Sequence, residues 1–167
     1  MVPDLDVGLE GEQSWQGNKG CRVLGDIKFI GAGLTYTQNA SLAPLRPVNK
    51  RAETVNTEYQ LAAKQADAKY CGVADDEHPG PIATLLNTYP KVQGLVVGHF
   101  GEFSPALESL RRLTAEQMAA EYAIAAGMPV EQVKGMCSWH VRRIWAMTAI
   151  RANSRTKIKA SAHVLGT

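Results

Sequence analysis

From Val2 to Leu9 apolar and polar positions alternate, with Pro3, Leu5, Val7 and Leu9 on one side and Asp4 and Asp6 on the other. A period of two is that of a strand with one face against a core. Glu10 to Gly20 is polar and contains glycine, a natural hairpin connection, and Arg22 to Ile30 (Val23-Leu24-Gly25-Asp26-Ile27-Lys28-Phe29-Ile30 after the arginine) is a second apolar run. The short linker predicts that the two runs pair antiparallel. Gly31 and Gly33 then loosen the chain, and a loop with Pro44 and Pro47 follows.

The period then changes. Val48, Ala52, Val55, Tyr59, Ala62, Ala66 and Tyr70 recur at three and four, which predicts a helix from Val48 to Tyr70 with Arg51, Glu53, Glu58, Lys64 and Lys69 on its outer face. Gly72 to Gly80 is a turn-rich acidic loop, and Pro81 opens a short helix through Leu86, its fixed φ suiting a first turn. Val92 to Phe100 is the most fully apolar run, which predicts a central strand buried on both faces. Ser104-Pro105 starts a helix through Leu107, Leu110 and Leu113, and Thr114-Ala115-Glu116-Gln117 has the pattern of a capping box opening another that ends at Gly127. Pro129 opens a last long helix with Val130, Val133, Cys137, Val141, Ile144 and Thr148 inward, and a polar, basic tail from Asn153 is expected to fray. Strand, strand, helix, strand, then helices is an α/β (α+β) layout: a mixed sheet with an N-terminal antiparallel hairpin, flanking helices and a C-terminal helical extension.

Composition narrows the function classes. The 167 residues suit one domain, or one with a helical extension, and 45% hydrophobic against 20% charged residues excludes global disorder. A formal charge of +2 is too small for bulk charge to mark a nucleic-acid binder, so any basic surface must come from clustering. No apolar run reaches the roughly 18 residues of a membrane helix, and the acidic start has no secretory-signal core. Cys21, Cys71 and Cys137 are odd in number and far apart, and His78, His99, His140 and His163 are as scattered. That argues against a zinc site and a disulfide framework, and for an intracellular setting, cytoplasmic or nuclear.

One constellation carries chemistry. Pro3-Asp4 lies in the first strand and Asp26-Ile27-Lys28 in the second. Side chains alternate along a strand, so Asp26 and Lys28 share a face, and antiparallel pairing can stand Asp4 beside Asp26. Two adjacent carboxylates repel unless a cation lies between them, and hard oxygen ligands select Mg²⁺ or Mn²⁺. An ammonium next to such an ion orients water or stabilises charge on a phosphate. The implied chemistry is metal-assisted hydrolysis of a phosphodiester. The bland alternative is a hairpin whose outer face merely carries charges. With 16 acidic residues and 9 lysines, about one acidic-x-Lys triplet arises by chance, and a second exists, Asp67-Ala68-Lys69. It sits on the amphipathic helix, where positions two apart point to nearly opposite sides, so it cannot present both groups to one ion.

Pro3-Asp4 and Asp26-Ile27-Lys28 resemble the two halves of the signature of the PD-(D/E)xK nuclease superfamily, the restriction-endonuclease-like fold, and the helix-strand-helix order after them is similar to its core. The resemblance spans about residues 2 to 104. It implies that Asp4, Asp26 and the carbonyl of Ile27 bind Mg²⁺ or Mn²⁺, that Asp4, Asp26 and Lys28 are the catalytic set, and that the substrate is nucleic acid, DNA before RNA. It divides the chain into a nuclease-like core, residues 1–104, and a basic helical extension, 105–167, packed on the same domain. More loosely, the whole chain is similar to nuclease-like C-terminal segments of retroelement-derived open reading frames. It departs from the family at one point. Many members supply a further acidic ligand from a helix ahead of the Pro-Asp strand, where only Met1 and Val2 stand in this sequence. Three readings follow: a fragment of a longer polypeptide, an incomplete site that leaves an inactive nucleic-acid-binding or assembly module, or substitution by Asp6 or Glu10.

The C-terminal end clusters positive charge. Trp139-His140-Val141-Arg142-Arg143-Ile144-Trp145 lies among Lys134, Arg151, Arg155, Lys157 and Lys159, and no acidic residue follows Glu131. Lys134, Arg142, Arg143, Arg151 and Arg155 are the candidate phosphate contacts. A solvated helix face with its tryptophans in the core is the plainer account. Lesser candidates have plain readings too: His99 and Glu102 in a strand-to-helix turn, Gly31-Ala32-Gly33 as a bend, Gln60 and Lys64 facing solvent, and Asp75-Asp76-Glu77-His78 as a solvated loop.

Overall fold

The computed structural model of the chain describes residues 3–8, 14–15, 18–19, 22–30, 45–72 and 78–164. Strands β1 (Leu5–Gly8) and β4 (Arg22–Phe29) pair antiparallel with Leu5 opposite Gly25. Inside their connection a two-residue ladder joins β2 (Ser14–Trp15) to β3 (Asn18–Lys19). Helix α1 (Arg46–Ala66) runs into a wide π turn over Asp67–Cys71, and α2 (Pro81–Asn87) leads to β5 (Gln93–Val97). Strand β5 lies parallel to β4, with Asp26 opposite Gly94 and Lys28 opposite Val96. Helices α3 (Pro105–Ala126) and α4 (Val130–Val164) complete the fold. The α+β class with a mixed sheet, the antiparallel strand pair and the C-terminal helices match the expectation.

The sheet order is β1-β4-β5, so β4 is the central strand and the apolar β5 lies at the edge. This corrects the central placement expected for 92–100. β5 is apolar on both faces because helices cover both, not because strands flank it. Its outer edge is closed by the chain itself: Gly98 N donates to Glu102 O, Ser104 N donates to Val96 O, and Val97 bridges to Phe103. Fully buried Ser104 anchors the turn. Its hydroxyl donates to Gly94 O at 2.8 Å, accepts from Val96 N at 3.0 Å, and caps α3 through Leu107 N.

Alternation along β4 divides the core into two layers. Val23 packs with Leu95, Val97, Ala106, Leu107 and Ala149, on the α3/α4 side. Leu24 packs with Val55, Tyr59 and Val92, on the α1 side. Asp26 and Lys28 share the face of Leu24, and α1 crosses that face as the link between parallel strands. Its approach is tight at one point: a Cβ on Gly94 would stand 2.6 Å from Cα and O of Ala52.

Several helix details differ from the sequence pattern. The buried stripe of α1 is Val48, Val55, Tyr59 and Ala63, continued by Asp67 of the π turn against α2, while Tyr70 is 72% exposed, because steps of four after Tyr59 put 63 and 67, not 70, on the buried side. Thr114 does not open a helix. α3 is continuous, the Thr114 hydroxyl donates back to Leu110 O, and the helix stops at Gly127, whose φ of 63° favours glycine. In α4 the buried positions are Val133, Cys137, Val141 and Ala149, with Trp145 half-buried, whereas Val130, Ile144 and Thr148 are exposed. The helix first packs on Ala119 and Ala123 of α3 and later on the sheet core, so its inner face turns with its partner. Nor does it end at Asn153: it continues to Val164. Because Ala106, Leu107 and Ala149 share one cluster with Val23 and Leu95, the helices after residue 104 and the sheet form one core. No helix among the described residues is long and apolar enough to cross a membrane.

Candidate active site

The register that sets Leu5 against Gly25 carries Asp4, one residue before β1, to the level of Asp26. Asp4 Oδ2 accepts a hydrogen bond from Ile27 N at 2.8 Å. That N–H is the main cause holding the Asp4 carboxyl below its usual range, followed by hydrogen bonding with the Asp26 carboxyl, with the Lys28 charge adding less. The two carboxyls therefore lie within hydrogen-bonding reach of each other. In a strand the N–H and C=O of one residue leave along the same edge, so the Ile27 carbonyl emerges on the side that Asp4 occupies.

Asp26 is 2% exposed, at the centre of the sheet. Lys28 Nζ stands 2.7 Å from its Oδ2, while that oxygen makes no aligned hydrogen bond. The ammonium neutralises the buried charge but does not saturate the acceptor. Lys28 itself keeps 32% of its side chain accessible, which suits a group that bridges core and solvent.

Helix α1 forms the opposite wall. Tyr59, 4% exposed, brings its hydroxyl beside Asp26 without an aligned partner, and burial first, then the Asp26 and Asp4 charges, push its phenol up to about 12. Arg51 grips both oxygens of Glu58. That pairing holds the Glu58 carboxyl below its usual range, helped by the more distant Lys28, and raises the Arg51 guanidinium, helped by Asp26. Arg51 and Glu58 are thus half-buried beside the acidic pair and not on an outer face. Among the residues expected to form the site, Asp4, Asp26, Ile27 and Lys28 come together. Tyr59, Arg51 and Glu58 were not anticipated. Their signal is periodic: positions 51, 55, 58 and 59 fall on one helix side with the strand-facing Val55.

The remaining candidates lie elsewhere. Asp6 does not substitute for a missing ligand, since both its oxygens are held by Arg22 at the far end of the strand pair. Glu10, Gly31-Ala32-Gly33 and Asp75 to Glu77 fall outside the described residues. Asp67 of the decoy triplet is 1% exposed and accepts from Ile82 N and Ala83 N, both at 2.9 Å, so it caps α2 from another element. Lys69 leans over the ring of the exposed Tyr70. Gln60 bonds Asn87 at 3.1 Å, away from the acidic pair. Glu102 ties the turn after β5 by accepting from Phe100 N.

The basic residues of α4 do not form one stripe. Taking Lys134 as the origin, Arg142, Arg143, Arg151 and Arg155 lie at about 80°, 180°, 260° and 300° around the axis. Lys134 stands 3.7 Å from Glu116, Arg143 stacks over Trp139, and Arg142 borders the cavity that also holds Glu102 and Glu108. Trp145 is half-buried on the core, whereas Trp139 is 60% exposed. Because α4 packs on the Val23 side and Asp26 faces α1, this helix and the acidic pair lie on opposite faces of the sheet.

Two carboxyl groups at the same level of paired strands, one of them buried with an oxygen lacking an aligned donor, fit a hard divalent cation. Among the described residues no third Asp, Glu, His or Cys joins them. No family model, curated protein or solved structure matches the chain.

Proposed function

We propose that this chain is a Mg²⁺-dependent nuclease, or a nuclease-derived domain of PD-(D/E)xK type, that hydrolyses DNA phosphodiester bonds. The observation that carries the proposal is the meeting of Asp4 and Asp26 from paired strands, with the Lys28 ammonium 2.7 Å from Asp26. Asp4, Asp26 and the Ile27 carbonyl would hold Mg²⁺ or Mn²⁺, and the bound ion supplies the positive charge that offsets the carboxylate repulsion and polarises a phosphate. The Ile27 N–H fixes Asp4 through its Oδ2. Lys28, one-third accessible, can turn from Asp26 to a phosphate oxygen and stabilise the charge that develops there. Arg51, held at the rim by Glu58, adds a second cation on the approach to the site. A retroelement kinship and an intracellular place of action belong to the same proposal.

The test is supercoiled plasmid with Mg²⁺, comparing the wild type with Asp26→Ala and Lys28→Ala, and with EDTA. Nicking by the wild type alone, abolished by EDTA, is expected. Equal nicking by all three removes these residues from the mechanism.

A second reading, a non-catalytic nucleic-acid-binding or assembly module on the same scaffold, is favoured by one observation. Among the described residues no third ligand joins Asp4 and Asp26, and Asp26 is already paired with Lys28. It predicts salt-sensitive DNA binding that EDTA leaves unchanged, with no cleavage.

A further inference from the structure

Tyr59 presents a problem that packing alone does not solve. Its ring fills the layer between α1 and the sheet with Leu24, Val55 and Val92, and only 4% of the residue is exposed. A phenylalanine would fill that space equally well without burying a hydroxyl that has no aligned partner. Among the described residues two other buried oxygens lack an aligned partner, Asn49 Oδ1 and Asp26 Oδ2, and Asp26 is the one that acts on the Tyr59 hydroxyl. Lys28 approaches the same carboxylate from the accessible side, while Tyr59 approaches from the buried side.

We propose that Tyr59 is a positioning residue for Asp26, its buried hydroxyl serving as the fixed donor that orients this carboxylate for a divalent cation while Lys28 is the movable one. The inference rests on the nuclease reading and adds a residue to its site. The ring, clamped between α1 and β4, cannot follow solvent, so the hydroxyl keeps one place while the ammonium turns between carboxylate and substrate. A lone donor behind a carboxylate, acting through it on the ion, is how outer-shell groups tune ligands.

The experiment measures Mn²⁺ binding to the full chain by the loss of the free-ion EPR signal, with thermal unfolding alongside. Tyr59→Phe is expected to keep the wild-type melting temperature or exceed it, and to weaken Mn²⁺ binding about tenfold, the lower end of the range for outer-shell substitutions. Val55→Ala, which loosens the same layer without touching a polar group, is expected to lower the melting temperature and leave Mn²⁺ affinity unchanged. Unchanged affinity in Tyr59→Phe overturns the inference and leaves the nuclease reading standing. So does equal weakening by Val55→Ala, or failure of Tyr59→Phe to fold, since either makes the role structural. A wild type that binds no Mn²⁺ overturns both.

Discussion

Asp26 and Lys28 form a pair of unequal burial, and that inequality predicts unequal costs for removing each partner. The Asp26 carboxyl is 3% accessible and the Lys28 side chain 32%. Lys28→Met leaves a buried carboxylate beside Asp4 with its nearest counter-charge gone. Losing one partner of a buried pair costs about 3–5 kcal/mol, and the accessibility of Lys28 places this case toward about 2–3 kcal/mol. Asp26→Asn leaves an ammonium that can swing into water, and it also relieves the repulsion with Asp4. Its cost should stay within about 1 kcal/mol, as for a change that strands no charge. At roughly 2–4 °C per kcal/mol for a chain this long, Lys28→Met should melt about 4–12 °C lower and Asp26→Asn only a few degrees lower. The double variant, with neither member of the pair charged, should recover most of the loss. Thermal unfolding of the four proteins at pH 7 closes the cycle. Equal losses in the single variants, or a double variant no better than Lys28→Met, would refute the claim that this pair is a buried anion with a surface cation.

Three further outcomes follow from buried hydrogen bonds and titrating groups. Ser104→Ala strands the carbonyl of Gly94 and the N–H of Val96, both paired through its buried hydroxyl, and should cost about 2–4 kcal/mol in urea unfolding. Asp67→Ala leaves Ile82 N and Ala83 N without their acceptor, and should speed hydrogen exchange at those amides while Asp67→Asn, with one oxygen retained, does so less. For pH, Asp4, Glu58 and Glu108 have folded values below their ordinary 3.8, 4.5 and 4.5, so their stabilisation is present above those values and is lost as pH falls through the depressed ones. Tyr59 is raised from 10.0 to about 12, so its stabilisation is present below pH 10 and is lost as pH climbs toward 12. Melting curves should show both limbs, and Tyr59→Phe should flatten only the alkaline one.

The strand pair and the site register were legible because both depend on a period of two and a short linker, which leave few alternatives. Asp26 and Lys28 share a face by counting, and Asp4 joins them by pairing. The helical half was less legible because a helix face is set by its partner. Val130, Ile144 and Thr148 continue a straight stripe in sequence, yet α4 turns Trp145 and Ala149 inward once its contact passes from α3 to the sheet. The edge position of β5 was hidden for a similar reason: an apolar run reports that both faces are covered, not that both edges are paired. Arg51 and Glu58 read as surface charges because a charge pattern cannot show which helix side borders a buried carboxylate.

The two halves of the fold also separate the features that the sequence placed together. Alternation on β4 sends Val23 toward α3 and α4 and sends Leu24, Asp26 and Lys28 toward α1. A phosphodiester held at Asp4 and Asp26 therefore meets cations from the α1 side, Lys28 and Arg51, whereas the arginines of α4 lie behind the sheet and point in several directions. Duplex DNA is about 20 Å across, comparable to the sheet-plus-helix thickness that sheets and helices packed about 10 Å apart produce. One groove cannot therefore engage both faces without wrapping an edge, and the β5 edge is closed by the turn through Phe103 and Ser104. Under the proposed nuclease reading, substrate affinity at the acidic pair is a property of α1 and β4. Helix α1 fills the core with Val55 and Tyr59 while its next side walls the carboxylates, so apolar truncations such as Val55→Ala act on stability, whereas loss of the Tyr59 hydroxyl, which lies beside Asp26, acts on the site.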